Sequence, residues 1–157
     1  MNSSRMGLLG LCVLVCVLAL SVLGTRAGEE EVVANERAAV GVTRTLNTAL
    51  VTYHHTYKMG YAHSLGVLGG PREGESEGPW AANFVSGSLD RGVWKGYKLI
   101  YRPGPGDSEG RITAYTVTAR PMKYGETGKL SVFTDESGVI RATREDREAT
   151  VNDPPLQ

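Results

Sequence analysis

The feature that most constrains the fold is an amphipathic stretch at residues 29–57, which follows an apolar N-terminal run and precedes a strand-patterned half. Its apolar residues recur in steps of three and four, which places them on one stripe of an α-helix. Gly41 costs such a helix about 1 kcal/mol relative to alanine, which is too little to end it. The stripe comprises Ala39, Val42, Leu46, Ala49 or Leu50, Tyr53 and Tyr57. We therefore predict a long amphipathic helix over residues 28–60.

A helix of this length has a structural consequence. It rises about 1.5 Å per residue, so a small domain cannot cover it from end to end. One end must emerge from the domain. Because the strand-patterned half follows the helix in the chain, the end that emerges is expected to point toward the apolar N-terminus.

The first 27 residues have the order of an export signal. Arg5 precedes an uncharged apolar run at residues 7–24, and small residues follow it. The run lies at the lower edge for a membrane-spanning helix, which needs about 17–25 apolar residues, and it also fits a signal peptide cleaved before Gly28. Residues 1–27 are thus predicted to be either a signal peptide or a transmembrane anchor. In both cases the rest of the protein belongs to the cell envelope, membrane-anchored or exported.

Charge and cysteine content exclude several classes of protein. The chain carries 17 basic and 17 acidic residues; Arg5 and Arg26 leave with residues 1–27, so the remainder has 15 basic and 17 acidic residues, a formal charge of −2. A nucleic-acid binder would need a basic stripe instead. Cys12 and Cys16 both lie in the apolar run, so the remainder has no cysteine for a disulfide, a thiolate nucleophile or a zinc site.

The middle of the chain is rich in loops. Residues 61–68 fit a short helical turn with Leu65 and Leu68 facing inward, whereas residues 69–78 contain no apolar side chain. We interpret residues 69–78 as a solvated surface loop, because their glutamates lack the Asp/Asn-Gly pattern of a calcium loop.

A second short helix is predicted at residues 80–89. Four apolar side chains of this segment fall on one helical face, which we expect to pack on the sheet as core rather than to form a sugar or base platform. They are Trp80, Phe84, Val85 and Leu89.

The C-terminal half is rich in β-branched and aromatic residues that alternate with polar ones, which is typical of strands. The predicted strands are residues 97–102, 111–120, 130–134 and 139–143, and Tyr115, Val117 and Ala119 share one face of the second. The chain is therefore expected to be α+β, with the long N-terminal α-helix packed on a three- to four-stranded antiparallel sheet. Residues 61–157 would form the globular head, and its end at Asp153-Pro154-Pro155 is expected to be a flexible tail.

No constellation of side chains indicates catalysis. His54 and His55 are adjacent, so on a helix they point about 100° apart, and a metal site that pairs one of them with His63 has no further support. The sequence contains neither a Gly-x-Ser-x-Gly elbow nor a glycine-rich phosphate loop between a strand and a helix. We predict that the protein is not an enzyme and that it uses no metal or cofactor.

Several segments resemble type IV pilin-like proteins and type II secretion pseudopilins. The similarity spans about residues 33–143 and follows an apolar N-terminal segment, as in those families. The residues that carry it are Ala34-Asn35-Glu36, Ala39-Val40-Gly41, Arg44-Thr45-Leu46-Asn47-Thr48-Ala49, Tyr53, Tyr57, Gly96-Tyr97, Tyr115-Thr116-Val117-Thr118-Ala119 and Phe133-Thr134-Asp135-Glu136-Ser137-Gly138-Val139-Ile140-Arg141. The resemblance implies a long N-terminal helix that carries a four-stranded antiparallel sheet, with the apolar half of the helix in the membrane and then in the core of a filament.

The chain departs from the family at its N-terminus, where the usual prepilin leader motif is absent. A cut after Gly7 would place Leu8 first and Cys12 fifth, where the family has a glutamate. A thiol does not supply the carboxylate that neutralises the neighbouring subunit's amino terminus, and an unpaired buried charge costs several kcal/mol, roughly 3–5.

The leading hypothesis is a non-enzymatic, pilin-like envelope protein that acts by protein–protein interaction in a pilus or type II secretion-like assembly. Its partners would be further copies or other pilin-like subunits, with the membrane contacted through residues 7–24 if they are retained, and no nucleic acid. The candidate interaction stripe is Ala39, Val42, Leu46, Ala49 and Tyr53. The alternative is that this stripe only covers the protein's own sheet.

Two other functions stay open at this stage. A secreted soluble binding module without filament assembly would use the loops at residues 69–78 and 103–110 for its ligand. A small exported hydrolase would use a histidine such as His55 or His63.

Overall fold

The computed structural model describes residues 3–86 and 89–156, with side chains described from residue 28 onward. Its first element is helix α1, Ser3–Tyr57, which is 55 residues long. At 1.5 Å per residue this corresponds to about 80 Å of unbroken helix. Gly41 lies in its interior on the exposed side, and nothing packs within 4 Å of a Cβ added there.

The apolar run at residues 7–24 lies outside the residues whose side chains are described, so the assignment of residues 1–27 as signal peptide or anchor stays a prediction. Among the residues whose side chains the structure describes, no helix has a long enough apolar stretch to cross a membrane.

Helix α1 ends three residues before the predicted boundary at residue 60. Lys58 and Gly60 adopt left-handed backbone conformations, with φ of 54° and 87°. The N–H of Lys58 closes the last turn on the carbonyl of His54 (3.0 Å), and the N–H of Tyr61 donates to the carbonyl of Ile112 (2.7 Å). The chain therefore leaves the helix and is at once joined to the loop that precedes the second long strand.

The sheet is an antiparallel meander of five strands in the order β1-β2-β3-β4-β5. The strands are β1 (Val93–Trp94), β2 (Tyr97–Pro103), β3 (Tyr115–Pro121), β4 (Ser131–Asp135) and β5 (Arg141–Thr143). The predicted α+β fold, with the long helix packed on an antiparallel sheet, is confirmed, although the sheet has one strand more than the upper prediction. The additional strand, β1, has two residues, which is too short for alternation to be visible in the sequence.

The register of the strands explains the core. Leu99 pairs with Ala119, Ala119 with Val132, and Val132 with Ala142, so one apolar row crosses four strands. All four side chains are buried and belong to the same cluster as the apolar side of α1. The face predicted for β3 is confirmed, since Tyr115, Val117 and Ala119 are buried.

Strand β3 begins four residues later than predicted. Ile112 is engaged elsewhere, because it forms bridges to Gly60 in parallel and to Gly106 in antiparallel orientation. These contacts hold residues 111–112 against the helix end and the preceding loop, so pairing with β2 starts only at Tyr115.

The C-terminal segment is held in place rather than frayed, which corrects the expected flexible tail. The N–H of Leu156 donates to the carbonyl of Ile140 (2.8 Å), and the N–H of Ala142 donates to the carbonyl of Pro154 (3.2 Å). Asp153 is buried and pairs with Arg147 at 2.6 Å. Hydrogen bonds from the Arg147 guanidinium hold the pKa of the Asp153 carboxyl far below its ordinary value.

The segment between Leu65 and Val85 is only partly as predicted. Leu65–Leu68 forms a short 3₁₀ helix with Leu65 and Leu68 buried, which confirms the first short turn. The helix predicted at residues 80–89 is wrong for the part described, because residues 80–86 form irregular chain. Ala82 and Phe84 donate their N–H groups to the carbonyls of Val67 and Leu68, both at 2.8 Å.

These hydrogen bonds to a distant part of the chain replace the ones that a helix would make. Asn83 also has a left-handed φ of 54°, which the interior of a right-handed helix does not allow. The predicted core face is split as a result. Val85 and Leu89 are buried, whereas Trp80 is 70% exposed.

Candidate interaction surfaces

The predicted interaction stripe of α1 forms the core of the head and is not available to a partner. Its exposed fractions are 0% for Ala39, 4% for Val42, 0% for Leu46, 4% for Ala49 and 3% for Tyr53. All five side chains belong to the apolar cluster shared with the sheet. The assignment of this stripe as an intermolecular contact is therefore corrected. This side of the helix packs on the protein's own strands, because otherwise the apolar stripe and the apolar face of the sheet would both be exposed to water.

The part of α1 that the head does not cover lies toward the N-terminal end of the helix. Of the helix side chains described from Gly28 onward, the first that is buried is Glu36. Glu29, Glu30, Glu31, Val33 and Ala34 are exposed. The helix thus projects from the head by at least two turns of mostly exposed side chains.

Glu36 fixes the helix where it leaves the head. Its Oε1 accepts hydrogen bonds from the backbone N–H of Lys129 (2.9 Å) and from Arg144 (3.3 Å), and its Oε2 accepts one from Arg144 (3.2 Å). The carboxylate is therefore compensated although the side chain is only 10% exposed. Burial, and next the charge of Glu36, raises the pKa of Tyr97 to about 12. Tyr97 hence stays protonated and donates to the carbonyl of Leu130 (3.0 Å).

A groove of about 760 Å³ lies between the emerging helix and the connection from β3 to β4. Val32 and Val33 contribute its apolar side, and Lys129 and Arg144 contribute positive charge from the head. Glu29 lines the same groove, so both charge signs are present. It is a mixed surface next to the projecting helix.

A second surface lies at the other end of the head and contains Trp80. Gly78 and Ala81 exchange two backbone hydrogen bonds, at 3.1 and 3.0 Å, which makes residues 78–81 a closed turn with Pro79 and Trp80 at its tip. The hydroxyl of Tyr53 donates to the carbonyl of Pro79 (2.8 Å), so the turn is attached to α1. The ring of His63 lies 5.6 Å from that of Trp80 between centroids.

Asn83 closes the loop beside this turn. Its side-chain amide donates to Oε1 of Glu77 (2.7 Å), and its backbone N–H donates to the carbonyl of Gly69 (2.8 Å). Both ends of the predicted surface loop at residues 69–78 are thereby held together. Glu73, Glu75 and Glu77 are exposed, as expected of a solvated loop.

The loop at residues 103–110 satisfies its own polar groups. Asp107 Oδ1 accepts from the N–H groups of Glu109 and Arg111, and its Oδ2 accepts from Arg111 Nε, all at 2.9 Å. The backbone N–H and then the guanidinium of Arg111 keep the pKa of Asp107 below its ordinary value. The carboxylate is occupied within the loop, so this loop does not present it to a ligand.

The three histidines have different neighbours. His54 stacks on Tyr61, with ring centroids 4.9 Å apart, while His63 lies against Trp80. His54 and His55 line a cavity of about 310 Å³ that Asp107 and Arg111 share. Over the side chains that were searched, no three His, Cys, Asp or Glu residues form a group suited to a metal ion.

Sequence reasoning missed the two features that shape these surfaces. Trp80 was assigned to a core face, although the Gly78-Pro79 pair before it is a turn signal. The pairing of Glu36 with Arg144 joins residues 108 positions apart and has no local signal.

Comparison of the chain with protein-family models, with curated proteins and with solved structures found no significant match.

Proposed function

We propose that this chain is a non-enzymatic, pilin-like envelope protein that acts through protein–protein contacts in a pilus or type II secretion-like assembly. One observation carries the proposal. Helix α1 is unbroken from Ser3 to Tyr57, whereas burial of its described side chains in the head begins at Glu36. A helix that extends beyond its own domain is stable when a second surface, a membrane or a partner, covers the extension.

The head supports this role by setting the direction of the extension. Glu36 joins the helix to the backbone N–H of Lys129 and to the guanidinium of Arg144. Apolar packing continues along the helix from Ala39 to Tyr53. The projecting part is thus aligned with the packed part, which suits a subunit whose helices lie side by side in an assembly.

Cysteine scanning along the projecting segment tests the proposal. Cys12 and Cys16 are first replaced by alanine, and single cysteines are then placed at residues 29–34 of the otherwise full chain. We expect disulfide-linked dimers in oxidised native membranes at Glu30 and Ala34, which lie four residues apart on the outward face. Little cross-linking is expected at Val32, which is partly covered and lines the groove against the head. Non-reducing gels provide the measurement.

A single cysteine at exposed Ser108 serves as the control for random collision. If no position on the helix cross-links more than Ser108, or if all six positions of the scan cross-link equally, the helix does not pack against a partner and the assembly role is lost.

A secreted soluble binding module is the second candidate, and the closed turn that exposes Trp80 beside the loop at residues 69–78 favours it. The mass and N-terminal residue of the protein from its native cells distinguish the two functions. A start at Met1 or Leu8 in the membrane fraction is expected for the assembly role. A start near Gly28 in the soluble fraction would favour the secreted module.

A further inference from the structure

Trp80 is the most exposed of the large apolar side chains that the structure describes, at 70%. The backbone that carries Trp80 is held in place. The turn at residues 78–81 is closed by two backbone hydrogen bonds and fixed to α1 through the hydroxyl of Tyr53. Pro79 directly precedes Trp80 and restricts the backbone of the turn further. An exposed indole on a fixed backbone turn loses less conformational entropy on binding than one on a mobile loop. Tryptophan is also enriched at the energetic centres of protein interfaces.

The charge beside Trp80 selects the partner. The loop at residues 69–78 carries three glutamates and Arg72, a formal charge of −2. Asn83 holds the end of this loop next to the turn through its hydrogen bond to Glu77. An aromatic face attracts a cation through its quadrupole, and nearby carboxylates add to that attraction. A neutral or acidic partner would be attracted neither by the aromatic face nor by the carboxylates.

The site is also placed where a partner can reach it. Tyr53, which holds the turn, is 17 residues after Glu36, where the helix enters the head. This separation is about 26 Å along the helix. The turn at residues 78–81 therefore lies toward the opposite end of the head from the projecting helix, and it stays accessible when that helix is embedded or packed.

We propose that Trp80 and the loop at residues 69–78 form a docking site for a basic segment of a partner protein. A lysine or arginine side chain would lie over the free side of the indole, away from His63, while Glu73, Glu75 and Glu77 balance its charge. This inference goes beyond the proposed function, because it gives the head a partner of stated chemistry at a second surface. It does not depend on whether the projecting helix packs against another copy.

Fluorescence of Trp80 tests the docking site directly. The chain has two tryptophans, so Trp94→Phe leaves Trp80 as the single reporter in the full chain, held in a non-ionic detergent. The probe is a synthetic peptide of alternating glycine and arginine, compared with the same peptide in which citrulline replaces arginine. We expect the arginine peptide to shift or quench the Trp80 emission saturably and the citrulline peptide to have little effect. The response should weaken in about 1 M salt, where charges are screened beyond about 3 Å.

Variants separate the two parts of the site. By calorimetric titration in the background with native Trp94, Trp80→Ala is expected to weaken binding of the arginine peptide at least about fivefold. Replacing Glu73, Glu75 and Glu77 together by glutamine is expected to weaken it at least about threefold. Replacing Glu29, Glu30 and Glu31 by glutamine is the matched control, because it changes the net charge equally at the other end of the head and should leave the affinity unchanged.

Two outcomes would overturn the proposal. In the first, the emission of Trp80 does not respond to the arginine peptide; if a maltose oligosaccharide quenches it instead, the turn is a carbohydrate platform. In the second, the control triple variant weakens binding as much as the loop variant, which would mean general charge attraction. None of these results bears on cysteine cross-linking of the projecting helix, so the two proposals fail separately.

Discussion

Replacing Leu46 with aspartate is expected to destabilise the head by about 3–5 kcal/mol, a large fraction of the roughly 5–15 kcal/mol by which an ordinary domain is stable. Leu46 is 0% exposed and lies between Val42 and Leu50 on the buried side of α1. A carboxylate there would lose its hydration inside an apolar cluster. Glu36 shows what the same helix requires of a buried carboxylate, since it is compensated by Lys129 N–H and by Arg144.

Near-ultraviolet circular dichroism of the full chain in detergent measures this effect. The signal from tyrosine and tryptophan reports tertiary packing of the head, whereas the far-ultraviolet signal would be dominated by the long helix. Thr45→Asp is the control, because Thr45 is the exposed neighbour of Leu46 on the same helix and its replacement is expected to change stability by less than about 0.5 kcal/mol. Equal melting temperatures for the two variants would contradict the assignment of this stripe to the core.

Gly60→Ala is expected to destabilise the head by about 2–4 kcal/mol, because two penalties coincide. The φ of Gly60 is +87°, which L-residues rarely adopt, and a Cβ there would lie 2.6 Å from the carbonyl oxygen of Ile112. The neighbouring hydrogen bond from Tyr61 N–H to the same carbonyl joins the helix end to the sheet, so relief of the clash would weaken that joint.

Gly41→Ala is the matched substitution in the same helix. A Cβ at residue 41 meets nothing within 4 Å, and the backbone there is helical. Alanine is therefore expected to stabilise the helix by about 0.5–1 kcal/mol. Urea unfolding followed by tryptophan fluorescence should place the midpoint of Gly60→Ala below, and that of Gly41→Ala above, the midpoint of the parent. A midpoint for Gly60→Ala equal to the parent would show that the helix end does not require glycine.

Elements with a strong repeating pattern were predictable from the sequence. The steps of three and four between Ala39 and Tyr57 define the buried side of α1 regardless of which strands it meets, and the alternation around Tyr115, Val117 and Ala119 does the same for β3. Periodicity of this kind reflects burial of one side against any apolar partner. It does not identify that partner, which is why the stripe of α1 fitted both an intermolecular contact and the protein's own core.

The candidate site was less predictable, because its geometry depends on contacts between distant residues. Trp80, Phe84, Val85 and Leu89 have a helical spacing, yet hydrogen bonds to the carbonyls of residues 67–69 and the left-handed backbone of Asn83 prevent a helix. Exposure of Trp80 follows from that competition. These carbonyls lie outside the segment 80–89 whose spacing was used, so the spacing alone predicted that Trp80 is buried.

The long helix, the antiparallel strands and the buried side of each were predictable from the sequence, since side-chain periodicity and backbone preference are local properties. Three features required the folded structure: the stripe of α1 covers the protein's own sheet, Arg147 and β5 hold Asp153 and the chain end, and Trp80 faces solvent. Each of these features depends on which distant hydrogen-bonding group or apolar surface contacts the residue in the folded protein. That outcome is set by the packing of the whole head and not by the neighbours of the residue in the chain.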